Sequence, residues 1–102
     1  MATTTKREIT ERVAKTTNQH RDVVRSVIQS FLDEVIEELS RGNRLEFRDF
    51  GVFEVRERAA RTAQNPKTLV QVPVPARRAV RFKAGRLMKE RVEHPVSTLG
   101  RG

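Results

Sequence analysis

A chain of 102 residues with 36% apolar side chains, 33% charged side chains and no cysteine holds one domain rather than two and excludes a disulfide framework, a thiolate nucleophile and a thiolate metal site. No run approaches the ~18 apolar residues of a membrane span, and residues 1–8 lack the apolar stretch of a secretory leader, so a soluble protein of a reducing cytoplasm is expected. The net charge of +8 points to a polyanionic partner.

A first helix is expected from about Lys6 to Thr16, with Ile9 and Val13 four apart and Ala14 and Thr17 on the adjoining flank. Thr5 precedes Glu8 at the spacing of a capping box. Thr17-Asn18-Gln19-His20 reads as a break, with Asn18 or His20 able to cap the next helix. This second helix, roughly Arg21 to Arg41, carries apolar residues at Val23, Val24, Val27, Ile28, Phe31, Leu32, Val35, Ile36 and Leu39. Adjacent apolar pairs every four residues widen its buried arc beyond one seam. So small a chain cannot cover that arc alone, and a second subunit is the expected cover, with Val27, Phe31, Val35 and Leu39 at the interface. The carboxylates Asp33, Glu34, Glu37 and Glu38 are its wet face rather than an acid–base couple. Gly42 ends the helix as a C′ residue.

The period then changes. Leu45 and Phe47 alternate as in a strand through Arg48-Asp49, and Phe50-Gly51-Val52-Phe53-Glu54-Val55 continues after a glycine bend. The alternation of Phe47, Phe50 and Phe53 beside valines reads as core, shared with the dimer interface, rather than as a base-stacking platform. A basic stretch follows to Asn65, Asn65-Pro66-Lys67-Thr68 signals a turn, and Val70, Val72 and Val74 alternate with Pro73 and Pro75. Prolines two apart direct their missing N–H groups to one edge, which suits an isolated two-stranded ribbon with free edges. Such a ribbon is marginal by itself and orders on a partner. A short helix, about Ala84 to Val92, and a frayed tail, Glu93 to Gly102, complete the chain.

Charge is distributed unevenly. Residues 1–53 carry nine basic and nine acidic side chains, whereas residues 54–92 carry eleven basic against Glu54, Glu57 and Glu90. The whole excess lies in the strand region and last helix, and the neutral half is built for folding. Arginine makes up 16 of the 21 cations, which suits phosphate forks and narrow minor grooves. His20 and His94 form no metal or catalytic pair, and no phosphate-cradling glycine loop exists. Neither cofactor nor metal is expected, and no enzymatic activity.

Three blocks resemble the HU / integration host factor family. Phe50-Gly51-Val52-Phe53 is similar to its Phe-Gly-x-Phe strand bend. Residues 58–68, Arg58-Ala59-Ala60-Arg61-Thr62-Ala63-Gln64-Asn65-Pro66-Lys67-Thr68, resemble its arm signature Arg-x-x-Arg-x-Gly/Ala-x-Asn-Pro-x-Thr. Phe82-Lys83-Ala84-Gly85-Arg86-Leu87-Met88-Lys89 is similar to the Phe-Lys-x-Gly-Lys-x-Leu-Lys opening of its last helix. The blocks agree in spacing without gaps, from about residue 5 to residue 92. Departures are Leu69 for the family's usual glycine, Val70 for a polar residue, Asp49 for glycine, Val80 for proline and Gln64 for a cation. Leucine tolerates φ > 0 poorly, which leaves the turn at the arm tip open.

The resemblance implies an α+β fold: a helical dimer core, a small antiparallel sheet and a protruding two-stranded β-ribbon arm. Residues 5–42 are then the helical dimerisation part, 44–82 the sheet and arm, 84–92 the C-terminal helix and 93–102 the tail. The implied partner is double-stranded DNA, bent or distorted, in the bacterial nucleoid, bound by a homodimer or a heterodimer with a paralogue. Pro66 is the implied minor-groove wedge, Asn65 its neighbour at the base edges, and Arg56, Arg58, Arg61, Gln64, Lys67 and Thr68 line the arm. Arg77, Arg78, Arg81, Lys83, Arg86 and Lys89 meet phosphates along the body, joined by backbone N–H groups at Gly85 and the start of the last helix. The rival expectations are a sequence-selective bender of the integration host factor type and an RNA-binding or ribosome-associated protein.

Overall fold

The computed structural model describes residues 1–95. Helix α1 spans Lys6–Thr17, α2 Arg21–Ser40 and α3 Arg86–Glu93, with strands β1 (Leu45–Phe47), β2 (Gly51–Arg58), β3 (Arg61–Gln64), β4 (Gln71–Val74) and β5 (Arg77–Ala84) between α2 and α3. The α+β class is as expected. The chain divides into two compact units, Met1–Glu37 and Glu38–Gly102.

In the first unit, Thr5 and Glu8 form the reciprocal capping box that their spacing predicts. Asn18 closes α1 in the left-handed conformation, φ 55°, and its backbone N–H donates to Ala14 and Lys15. Capping of α2 falls to His20, whose Nδ1 accepts the backbone N–H of Asp22 at 3.1 Å. Thr10 and Ala14 are the buried residues of α1, and the Thr10 hydroxyl donates to the Lys6 carbonyl.

The α2 apolar arc is wide, and much of it is partly exposed. Val24 and Leu39 are buried, yet Val27 and Phe31 are 63% and 50% exposed, and Val35 is half-buried. Among the described residues no large side chain is fully buried. At the α2 end Gly42 takes φ 85°, and the Glu38 carboxylate accepts from Asn43 and Arg41. These bonds hold it below its ordinary pKa, the Asn43 amide contributing most.

In the second unit β1, β2 and β5 form an antiparallel sheet in the order β1-β2-β5, and β3 and β4 a separate ribbon. Strand β2 pairs with β5 over eight residues, Gly51 with Ala84 through Arg58 with Arg77. One face of this pairing carries Phe53, Phe82, Val55 and Val80, and Phe47 joins them from β1 opposite Gly51. Four rings cluster there: Phe53–Phe82 centroids lie 4.7 Å apart, Phe50–Phe82 5.9 Å, Phe47–Phe53 6.2 Å and Phe47–Phe50 6.3 Å. Offset and edge contacts of this kind add to the burial of the rings.

Two expectations are corrected here. The bend before β2 does not turn on glycine. Asp49 supplies the positive φ, 65°, at the third position of a turn in which the Phe50 N–H donates to the Phe47 carbonyl, as a type II turn requires. Gly51 is needed for space, since a Cβ there would lie 2.5 Å from the Phe82 ring. The last helix begins at Arg86, not Ala84, because Ala84 is held in the sheet opposite Gly51 and Gly85 is the extended N-cap. Glu93 still belongs to α3, and the rest of the expected tail beyond residue 95 lies outside the described residues.

Gly51→Ala is expected to destabilise the protein by roughly 1–3 kcal/mol, the usual cost of forcing a methyl group into a packed site. Urea unfolding should show a lower midpoint at unchanged slope; an unchanged midpoint would mean that the Phe82 ring moves aside freely.

Candidate nucleic-acid interface

Strand alternation sorts the charges. Opposite the aromatic face, the β2–β5 pairing carries Val52, Glu54, Arg56 and Arg58 against Lys83, Arg81, Ala79 and Arg77. Five of the expected contact residues, Arg56, Arg58, Arg77, Arg81 and Lys83, therefore share one face. The face is graded along its length. Near β1, Glu54 lies 3.7 Å from Lys83 and 3.9 Å from Arg44. Toward the ribbon no carboxylate intervenes, and Arg58 stands directly opposite Arg77, a like-charged pair that disfavours the bare sheet. Among the described residues, Arg56, Arg58, Arg61, Lys67, Arg77, Arg81 and Lys89 form no ion pair.

Arg78 belongs elsewhere. It falls on the other face opposite Glu57, lies 3.8 Å from that carboxylate, and donates to the Ser40 carbonyl at the end of α2. Its position closes a helix more than it extends the basic face. Arg86 lies 3.8 Å from Asp49. Gly85, expected to offer its N–H to a phosphate, donates it to the Phe50 carbonyl at 2.7 Å, and the Met88 N–H goes to Asp49. The turn before β2 thus occupies donors at the start of α3.

The ribbon pairs Arg61 with Val74, Thr62 with Pro73, Ala63 with Val72 and Gln64 with Gln71. The Asn65 N–H donates to the Val70 carbonyl, so Asn65–Val70 is a hydrogen-bonded pair, and alternation makes Thr62–Pro73 a non-bonded one. Pro73 therefore removes no ladder bond, as its spacing predicts. Pro66 to Leu69 form the tip loop. The Asn65 carbonyl accepts the Leu69 N–H at 2.7 Å, and its Oδ1 accepts the N–H groups of Lys67 and Thr68. Asn65 is thus the organiser of the tip. Leu69 keeps φ 60°, so the turn retains the left-handed conformation although the residue is not glycine, at a cost on the order of 1–2 kcal/mol.

Phe82 is the residue that sequence reasoning leaves out of the site. Its signal is present in the Val80–Phe82 alternation, which repeats that of Phe53 and Val55. Its packing over Gly51 accompanies a register that keeps the aromatic and the cationic residues of β2–β5 on opposite faces.

The description of one protein family, bacterial DNA-binding protein, fits residues 4–93. The chain belongs to this family. Within it, the probable DNA-binding protein HU of Chlamydia trachomatis serovar D is 44% identical over 96% of this chain and 99% of its own. The integration host factor subunit alpha of Shewanella frigidimarina is 36% identical over 87% of this chain and 90% of its own. The HU of an Anabaena HU–DNA cocrystal structure superposes with a TM-score of 0.78 at 36% identity, covering 90% of this chain and 100% of that one. Family membership and fold agree with the resemblance carried by the three sequence blocks. Among the described residues no helix is long and apolar enough to cross a membrane.

Removing one member of the Arg58–Arg77 pair is expected to stabilise the free protein. Arg77→Gln should raise unfolding stability by about 0.2–1 kcal/mol at low salt, with the gain shrinking as salt screens the pair. Denaturation of both proteins at two ionic strengths measures this, and a loss of stability at low salt would contradict it.

Proposed function

We propose that this protein is a histone-like DNA-binding protein of the bacterial nucleoid, a dimer that grips duplex DNA between ribbon arms in the minor groove and bends or compacts it with little sequence selectivity. The observation that carries the reading is the graded face of β2–β5. Five cations stand together, two of them in a like-charged cross-strand pair, and this arrangement is stabilised when a polyanion lies over it. The Anabaena relative, bound to DNA in its cocrystal structure, supports DNA as that polyanion.

The division of labour follows from the chemistry. Arg56, Arg58, Arg77, Arg81 and Lys83 neutralise phosphates, with Arg61, Arg86 and Lys89 extending the track. These contacts position the duplex without reading bases. Lys67 carries the positive charge of the arm tip, with Gln64 and Thr68 polar beside it. Pro66, rigid, apolar and without an N–H, replaces a stacking partner at a base step while exposing no unmet donor. Unstacking costs on the order of a few kcal/mol, which contact between the bent duplex and the basic face offsets, as in minor-groove architectural proteins generally, HU and integration host factor among them. Nothing in this function calls for catalysis or a cofactor.

A dimer is the state that the helices favour. Val27 and Phe31 remain more than half or about half exposed in the chain, and a second copy covers them, with Val35 at the margin. Leu39 is already buried and contributes from within. Phe47, Phe50 and Phe53 belong to the same proposed interface. Sedimentation at micromolar concentration should give a dimer, and Phe31→Ala should shift it toward monomer with a loss of several kcal/mol; a well-folded wild-type monomer would overturn the assignment.

The DNA reading is tested by affinity against salt and by ring closure of a short duplex. The slope should correspond to roughly 5–10 released counterions per dimer at ~0.9 per contact. Pro66→Ala should leave affinity for straight duplex nearly intact and reduce the bend. Affinity indifferent to salt would sink the phosphate reading, and an undiminished bend would make Pro66 a turn residue only.

A further inference from the structure

The tip of the ribbon differs from its base in charge, exposure and backbone conformation. From Ala63 to Pro75 Lys67 is the only charged residue, while Pro66, Leu69, Val70, Val72 and Val74 are apolar. Leu69 is 68% exposed and Val70 57%. Leu69 also holds φ 60°, a conformation that glycine adopts freely and a branched side chain resists. Burial within the chain does not compensate this strain, because most of the side chain faces solvent.

The polar groups around Leu69 hold the tip in place. Asn65 accepts from Lys67, Thr68 and Leu69, the Thr68 hydroxyl accepts the Val70 N–H at 3.3 Å, and the Gln64 side-chain amide donates to the Leu69 carbonyl at 3.3 Å. These bonds fix the loop and leave Pro66 and Leu69, its first and last residues, as two apolar groups at one end of a ribbon. Strain maintained by surrounding bonds at an exposed position is a mark of function, and leucine, like proline, is among the side chains that wedge between base pairs.

We propose that Leu69 is a second wedge, which enters a base step together with Pro66 and adds to the preference that Pro66 alone confers for duplexes whose stacking is already interrupted, such as a nick. The proposal rests on the reading that the arm lies in the minor groove. An apolar tip has little to gain from phosphates, whereas an interrupted step offers apolar base faces and a lower unstacking cost. Discrimination at the tip is therefore set by stacking, and the basic face sets the common affinity.

The test uses nicked and intact duplexes of one sequence, with 2-aminopurine beside the nick, at fixed salt. The chain has no tryptophan or tyrosine, so protein emission does not obscure the probe. Wild type should favour the nicked duplex and raise 2-aminopurine fluorescence on binding. Leu69→Gly, which relaxes the turn, should keep affinity for intact duplex within about twofold and lose about tenfold of the nick preference, the equivalent of one exposed aliphatic side chain. Its fluorescence rise should fall in parallel. Leu69→Asn tolerates the left-handed backbone and should behave as the glycine variant does, while Leu69→Met, still apolar, should retain the preference. Nick preference and fluorescence in Leu69→Gly equal to wild type overturn the assignment of Leu69 alone. A wild type that binds salt-sensitively yet gives no fluorescence rise on either duplex overturns the wedge reading of the whole arm.

Discussion

The packing of the Phe82 ring over Gly51 fixes the register of β2 against β5, and the rest of the second unit depends on that register. A slip of one residue would carry every side chain of a strand to the other face. Phe53 or Phe82, according to which strand moved, would leave the aromatic cluster, and arginines of that strand would enter it. The glycine admits the ring, the ring meets Phe50 and Phe53, and the alternate residues of both strands are thereby directed to the cationic face. One apolar contact thus orders both the core and the charge.

Electrostatics alone would not hold this arrangement. The cationic face gains nothing from its own proximity, and in the free protein Arg58 opposite Arg77 opposes pairing. Aromatic packing and the ladder of β2 and β5 supply the opposing stabilisation. Carboxylates are placed where structure requires them, at Glu54 beside Lys83 and Arg44, at Glu57 beside Arg78 and at Asp49 beside Arg86. The positive charge left uncompensated is thus concentrated between the sheet and the ribbon.

The features legible in the sequence are the local ones. The capping box at Thr5 and Glu8, the α2 helix, the Gly42 stop and the placement of Pro73 each rest on neighbours within a turn or a strand, and the structure shows each of them, whereas Pro75 falls just past the end of β4. Local pattern places the start of α3 two residues early, because Ala84 is committed by Gly51, far away in sequence. It assigns the bend before β2 to a glycine because glycine is the usual source of positive φ, whereas Asp49 adopts it here and Gly51 makes room for a ring. Arg78 resembles its neighbours in composition, and the pairing that sets it opposite Glu57 separates it from them. Long-range register is the missing information in all three cases.

Pro73 of the ribbon bears on a hazard shared by proteins with free strand edges. A two-stranded ribbon has two open edges, each a template on which another chain can add a strand. Pro73 lies opposite Thr62 in a non-bonded pair, so the outward edge of this strand lacks an N–H donor at that site, and Pro75 follows just past the strand's end at Val74. A strand docking there would find a carbonyl without its alternating partner. Where two such arms come close, the missing donor at Pro73 works against their joining into a continuous sheet.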